Sequence, residues 1–204
     1  MRKLLKIAIV LFIFVTVFHI GDLWNDKCSL RENLIRLHVV ANSDSSKDQH
    51  VKLQVKDAVI AYLQPFMENC SSKQEAHEYI KSHLEEISSV AVKTLADNGF
   101  CEDVHVSLQE EAFEKRIYDT FTLPSGVYEA LRIRIGEGAG ENWWCVTFPG
   151  LCIPAQTDGF SDMAVSAGFT EELANTVSNE DGYELRFYLL DAMGKLENLL
   201  FHED

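Results

Sequence analysis

SKQEAHEYIKSHLEEISSVAVKTLADNGFCEDVHVSLQ, Ser72 to Gln109, changes its hydrophobic period midway. Ala76, Tyr79, Ile80, Leu84, Ile87, Val90, Ala91 and Leu95 recur at steps of three and four, the spacing of one helix face. Ser72 and Glu75 open the helix as a capping box, and Asn98-Gly99 closes it with a left-handed stop. From Val104 the period becomes two: Val104, Val106 and Leu108 alternate with His105, Ser107 and Gln109. That is a strand with one face in a core.

Upstream, Leu34, Ile35, Leu37, Val39 and Val40 read as a buried strand that stops at Ala41-Asn42-Ser43-Asp44. Ser46 and Gln49 have capping-box spacing, and Val51, Val55, Ala58, Val59, Tyr62 and Phe66 mark the apolar side of a helix. Pro65 disfavours a helical residue before it and predicts an end near Leu63. Downstream, Ile117, Phe121 and Leu123 suggest a strand closed by Pro124-Ser125-Gly126. Val127–Ile135 alternates, with Leu131, Ile133 and Ile135 on one face and Arg132 and Arg134 on the other. Trp143–Ile153 reads as two short strands around Pro149-Gly150. Residues 154–180 are weakly patterned and expected to be mobile, with one short helix from Thr170. Leu185, Leu189, Ala192, Leu196 and Leu199, spaced by four and three, mark a C-terminal helix. A strand, two amphipathic helices, an antiparallel sheet and a final helix make one α+β domain over 34–204.

The N-terminus has a different character. Arg2, Lys3 and Lys6 precede an almost wholly apolar run from Ile7 to Phe18. This is the layout of an export segment, a signal peptide or uncleaved signal anchor over 1–21. The apolar run is shorter than the roughly 20 residues of a full span, and His19-Ile20-Gly21 makes no small-x-small cleavage pattern. Residues 22–33 are polar and read as a linker. The net charge of −14 over 204 residues repels phosphate backbones and anionic headgroups. Nucleic acid is therefore not expected as a partner, and a membrane only through the N-terminal segment.

The remaining chemistry is sparse. Gly136, Gly138 and Gly140 give G-x-G-x-G ahead of an extended segment, which is not a dinucleotide fingerprint and predicts a mobile hairpin loop. The histidines at 38, 50, 77, 83 and 105 are scattered, and His77 and His83, six apart, point to different sides of their helix. The five cysteines, Cys28, Cys70, Cys101, Cys145 and Cys152, include no C-x-x-C and no zinc spacing. No metal and no cofactor are expected. Cys145 with His38 or His105 is the one arrangement that could form a thiolate–base pair. Cys145 and Cys152 also invite a disulfide in an exported chain. A strict two-residue turn at Pro149-Gly150 would leave them diagonal, about 7–8 Å apart at Cβ, against the 3.5–4.5 Å a disulfide needs, so the bond demands a longer or bulged loop. In NWWCVTFPGLC, Asn142–Cys152, adjacent tryptophans on a strand point to opposite faces, and one exposed beside a proline turn could anchor a partner. The candidate contact residues are Trp143, Trp144, Phe148 and Pro149, with Asn42 and Asp44 at the strand–helix junction as a second patch.

IRLHVVANSDSSKDQHVKLQVKDAV (Ile35–Val59) together with LPSGVYEALRIRIGEGAGENWWCVTFPGLC (Leu123–Cys152) closely resembles the stage II sporulation protein R family, and a similar export segment stands ahead of it. From Pro154 the likeness is loose, mainly Glu184–Phe187, and the family favours a second proline where this sequence has Gly150. The resemblance implies a non-enzymatic protein, made in the forespore and exported across the forespore membrane into the intermembrane space. There it would activate a membrane-embedded sporulation aspartic protease, stage II sporulation protein GA, which processes pro-sigma-E. It carries over no catalytic residues. The alternatives from the residues themselves are a secreted hydrolase using Cys145 and a membrane-anchored septal structural protein.

Overall fold

The structure, a computed structural model, describes residues 2–118, 121–149, 160–178 and 184–201. Its centre is β1 (Ile35–Val40), all six residues of which are buried. β1 pairs in parallel with β5 (Gly126–Ile135) and antiparallel with β6 (Asn142–Phe148). β2 (Val104–Phe113) closes the other edge, antiparallel to β5, giving the order β2-β5-β1-β6. A separate two-stranded ribbon joins β3 (Arg116–Ile117) to β4 (Thr122–Leu123). The fold is α+β, as the change of period indicates, but the main sheet is mixed rather than antiparallel, because the chain passes through the helices and β2 before β5 returns alongside β1 in the same direction.

A strand buried on both faces needs two cores. Ile35, Leu37 and Val39 point one way, with Leu131, Ile133, Ile135 and Cys145, and pack under α2 (Ser46–Met67), α3 (Lys73–Ser82) and α4 (Leu84–Asp97). Val51, Val55, Val59, Leu63 and Met67, at steps of four, are the buried stripe of α2. On the opposite face Tyr128, Ala130 and Val146 meet the C-terminal half of α1 (Arg2–Asn33), α5 (Phe160–Ser166), α6 (Glu171–Val177) and α7 (Glu184–Leu200).

Local sequence accounts for the helix ends, with corrections. Ser45, not Ser46, caps α2 by accepting the Asp48 amide, and α2 runs through Pro65 to Met67 because Met67 is buried and holds the last turn on the core. Ser72 caps α3 and accepts the Glu75 amide. The single helix expected after it breaks at His83. The Tyr79 carbonyl accepts the Ser82 hydroxyl at 2.9 Å and lies 2.8 Å from His83 Nδ1, and the His83 amide donates to Ile80 instead.

Three further expectations change. Residues 22–33 are not a linker but the end of α1. Leu23, Asp26 and Leu30 fall on one helical face and are buried, Asp26 pairing with Arg186 and Lys27 with Glu197. Within 154–180, residues 160–178 hold two helices with Phe169, Leu173, Ala174 and Val177 buried, while 154–159 and 179–180 lie outside the described residues. The apolar stripe of α7 faces outward rather than into the core. Its inner side puts Leu190 and Met193 on the second core and is otherwise polar: Asp191 accepts the Ser125 amide, Glu197 the Val127 amide, and Asn198 donates to the Phe113 carbonyl. Gly194 makes this docking possible, since a Cβ there would lie 1.5 Å from the Ser125 carbonyl oxygen.

In the first half of α1 the described side chains of Leu5, Ile7, Ile9, Val10, Leu11 and Phe14 are exposed, so the apolar run contributes none of them to either core. Among the described residues no helix is long and apolar enough to cross a membrane.

Candidate functional site

The second sheet face is apolar only in part. Beyond Tyr128, Ala130 and Val146, the same face carries His105, Ser107, Gln109 and Glu111 from β2, Arg132 and Arg134 from β5, His38 from β1, and Asn142 and Trp144 from β6. Register makes this inevitable, because residues two apart on paired strands share a face. His38 sits between Arg132 and Trp144, its cross-strand neighbours.

His38 is the hub. Its Nδ1 lies 2.8 Å from Glu111 Oε1, and a carboxylate only accepts, so Nδ1 carries the donated proton. Its Nε2 lies 2.8 Å from the Asn142 side-chain oxygen. The ring stacks on Trp144 with centroids 5.5 Å apart and a 14° interplanar angle, while Phe113 meets it edge-on. Glu111 and His38 are both buried, and Arg132 reaches the same Glu111 oxygen at 3.5 Å. The outer side of Trp144 is covered by the Arg116 guanidinium, 3.5 Å from the ring centroid.

Behind this cluster lies Arg36, fully buried. Its guanidinium stands 4.0 Å from the centroid of Phe113 and 5.3 Å from that of Tyr128, and it donates to the Tyr118 hydroxyl at 2.8 Å. No salt-bridge carboxylate accompanies it among the described residues, and two of its nitrogens are without a hydrogen-bond partner. The ring faces therefore carry much of its stabilisation. Burial, the largest effect, pushes the Tyr128 phenol up despite the nearby Arg36 charge, so Tyr128 stays a neutral hydroxyl donating to the Pro124 carbonyl.

The result is a local reversal of charge. In a chain of net charge −14, Arg132 and Arg116 lie beside His38 and Trp144, and Arg134 and His105 continue the same face along β5 and β2; among the described residues of this face Glu111 is the acid. The exposed Arg134 guanidinium on this face suits carboxylate-bearing groups, with Trp144 half-buried beneath Arg116.

The expected site residues divide. Trp143 and Trp144 lie on opposite faces; Trp143 is 38% exposed, with Lys56 Nζ 4.5 Å from its ring centroid. Phe148 is buried in the core and reaches the surface only as part of a cleft wall. Pro149 follows it at the edge of a cleft lined also by Met67, Cys70, Met163 and Ala167. Asn42 and Asp44 stitch loops together. Asn42 donates to Asp48 at 3.1 Å and accepts the Glu137 amide, and Asp44 accepts the Glu141 amide at 2.7 Å. Together with Lys52, which donates to the Glu141 carbonyl, they pin the glycine loop that was expected to be mobile. A Cβ at Gly140 would come within 2.3 Å of the Ser43 carbonyl oxygen, so the close approach requires glycine.

Cys145 is disulfide-bonded and points into the first core, away from His38 and His105 on the other face, so no thiolate–base pair is assembled there. Cys152, its expected partner, lies outside the described residues. Cys28, Cys70 and Cys101 are free thiols. Among the described residues no three His, Cys, Asp or Glu side chains are grouped to hold a metal ion.

Sequence reading missed Arg36, Glu111 and Arg116. The available signal was the polar alternation of β2 and β5, which marked the face but not the cross-strand partners.

A family model described as stage II sporulation protein R matches residues 31–158, which span β1 to the segment after β6. The stage II sporulation protein R of Bacillus subtilis (strain 168) is 30% identical over 222 residues, covering 96% of this chain and 99% of that protein. No solved structure matches the chain. With the strand, the helices and the polar sheet face all inside the matched region, the chain belongs to the stage II sporulation protein R family.

Proposed function

We propose that the chain is an exported signalling ligand. It is made in the forespore, crosses the forespore membrane by its N-terminal segment, and activates the membrane-embedded aspartic protease, stage II sporulation protein GA, leading to processing of pro-sigma-E. Family membership carries this reading. Two structural observations support it: the described apolar side chains of the first half of α1 lie outside the cores, free for a lipid or translocation environment, and the polar sheet face offers a charged, aromatic surface to a protein.

The mechanism is differential binding: a ligand shifts an equilibrium only if it binds one state of its receptor better than the other. The contact surface is centred on Trp144, Arg116 and Arg134, with Trp143 at the adjoining edge; Asn42 and Asp44 support it by fixing the neighbouring loops. The chain itself performs no reaction in this scheme. The rival hydrolase would need a nucleophile other than Cys145 beside His38.

Trp144→Ala and Arg134→Glu, each checked for a wild-type circular dichroism spectrum, test the surface. Loss of sigma-E processing in cells that secrete folded variant is expected. Full processing with both variants removes this face from the account. Sequencing the N-terminus of the mature protein distinguishes a diffusible ligand from a tethered one.

A further inference from the structure

We propose that two copies of this chain associate through the outer face of α7. Leu185, Leu189, Ala192, Leu196 and Leu199 follow steps of four, three, four and three, a repeat of 3.5 residues. Their leucines are 74%, 44%, 61% and 78% exposed, and Tyr188 and Leu200 widen the stripe at 61% and 74%.

The stripe is not a loose end awaiting a core. α7 is already docked by its opposite face, where Gly194 lies against Ser125, Asp191 and Glu197 accept backbone amides, and Arg186 pairs with Asp26. Leu190 and Met193 complete that docking on the second core, so the five outward leucines are surplus to what holds the helix in place. These side chains expose roughly 700 Å² between them, more than the 300–600 Å² of the largest apolar patch on an ordinary monomer and close to the 800 Å² per partner of a stable interface.

Exposed area and period together point to the occupant. A seam of alternating four and three steps is filled by another helix of the same period, whose knobs enter its holes. α7 of a second copy carries that period, and a two-fold arrangement makes the surface its own complement. A lipid surface fits poorly. Helices lying in a bilayer interface are rich in Lys and Arg on their polar side. The charged residues of α7 are Glu184, Arg186, Asp191, Lys195 and Glu197, in a chain of net charge −14. α7 also lies outside residues 31–158, so the pairing is independent of the features that define the family.

The test uses the full chain in living cells and a membrane-permeant bismaleimide, so that its outcome does not depend on export. Leu196→Cys is compared with Gln74→Cys, an exposed position on α3, and with Leu196→Cys/Leu199→Glu. A product of twice the chain mass is expected from Leu196→Cys at least tenfold above the background that the wild type gives through Cys28, Cys70 and Cys101, and at that background from Gln74→Cys and the double variant. Equal products from Leu196→Cys and Gln74→Cys, or none from Leu196→Cys, overturn the proposal. So does a product of any other mass, which would mean a different partner. Flotation with phosphatidylglycerol vesicles is expected to be the same for wild type and Leu196→Glu/Leu199→Glu; loss of binding in the variant would assign the stripe to a lipid surface and also overturn it.

Discussion

Replacing Glu111 by leucine should be expensive, and replacing His38 along with it should return much of the loss. Glu111 is 5% exposed and His38 7%, and their hydrogen bond of 2.8 Å lies inside the sheet face. In Glu111→Leu the His38 Nδ1 proton loses its acceptor, while Asn142 still holds Nε2. Removing one member of a buried charged or strongly polar pair costs about 3–5 kcal/mol. Because Asn142 still holds the ring and Nδ1 alone loses its partner, the lower end applies, about 3 kcal/mol. His38→Leu strands the Glu111 carboxylate, which keeps Arg132 at 3.5 Å, and should cost about 2 kcal/mol. With both replaced, Arg132 turns to solvent and two leucines fill the space, for a total of about 2–3 kcal/mol. The coupling energy is then about 2–3 kcal/mol. Urea unfolding of the oxidised protein measures it: at about 2 kcal/mol per molar urea, Glu111→Leu should lower the midpoint by about 1.5 M. If the double variant costs the sum of the singles to within about 0.5 kcal/mol, the two side chains do not act as a pair and the described hub is wrong.

Other perturbations probe the scaffold. Gly194→Ala drives a methyl into the Ser125 carbonyl, and should lower stability by about 3 kcal/mol and raise hydrogen exchange at Ser125 and Val127; unchanged exchange at those amides would show that α7 does not rest on that turn. The hydrogen bond from Ser43, helped by Asn42 and Ser45 and opposed by burial, holds the Asp48 carboxyl below its ordinary 3.8. A lowered folded-state value stabilises the protein above the unfolded-state value, and that stability is lost as pH falls through the folded one. Asp48→Asn should therefore be less stable than wild type at pH 7, by about 1 kcal/mol, with the gap closing as pH falls through the lowered folded-state value. A gap that persists at low pH would mean that shape, not charge, matters at Asp48. Arg36→Met, which exchanges a buried cation on two ring faces for a thioether, should stay within about 1.5 kcal/mol of wild type in thermal unfolding. A loss above about 4 kcal/mol would mean that the guanidinium is better satisfied than the single bond to Tyr118 implies.

The α+β architecture was legible because period and capping are local. The stripe of α2, the Ser72 cap, the Gly99 stop and the alternation of β2 and β5 depend on neighbours within a turn or a strand. What failed depends on distant partners. Residues 22–33 read as a linker because Asp26 and Lys27 are polar, and only Arg186 and Glu197 make that polarity a docking face. The leucines of α7 read as core because apolar stripes usually are; nothing within the helix says that Asp191, Gly194 and Glu197 point inward. In the site, NWWC marked Trp144 as notable, but His38, Glu111 and Arg116 come from three other strands. Register decides their meeting, and register is not written in any one segment.

The measurement closest to the central claim places this chain, the protease and pro-sigma-E together in a non-sporulating bacterium. The chain is expressed either whole or without residues 1–21, and sigma-E processing is followed by immunoblot. The account predicts processing with the exported chain and none with the truncated one retained where it is made, at equal amounts of folded protein. Processing that is equally strong when the chain never leaves the cytoplasm would contradict it.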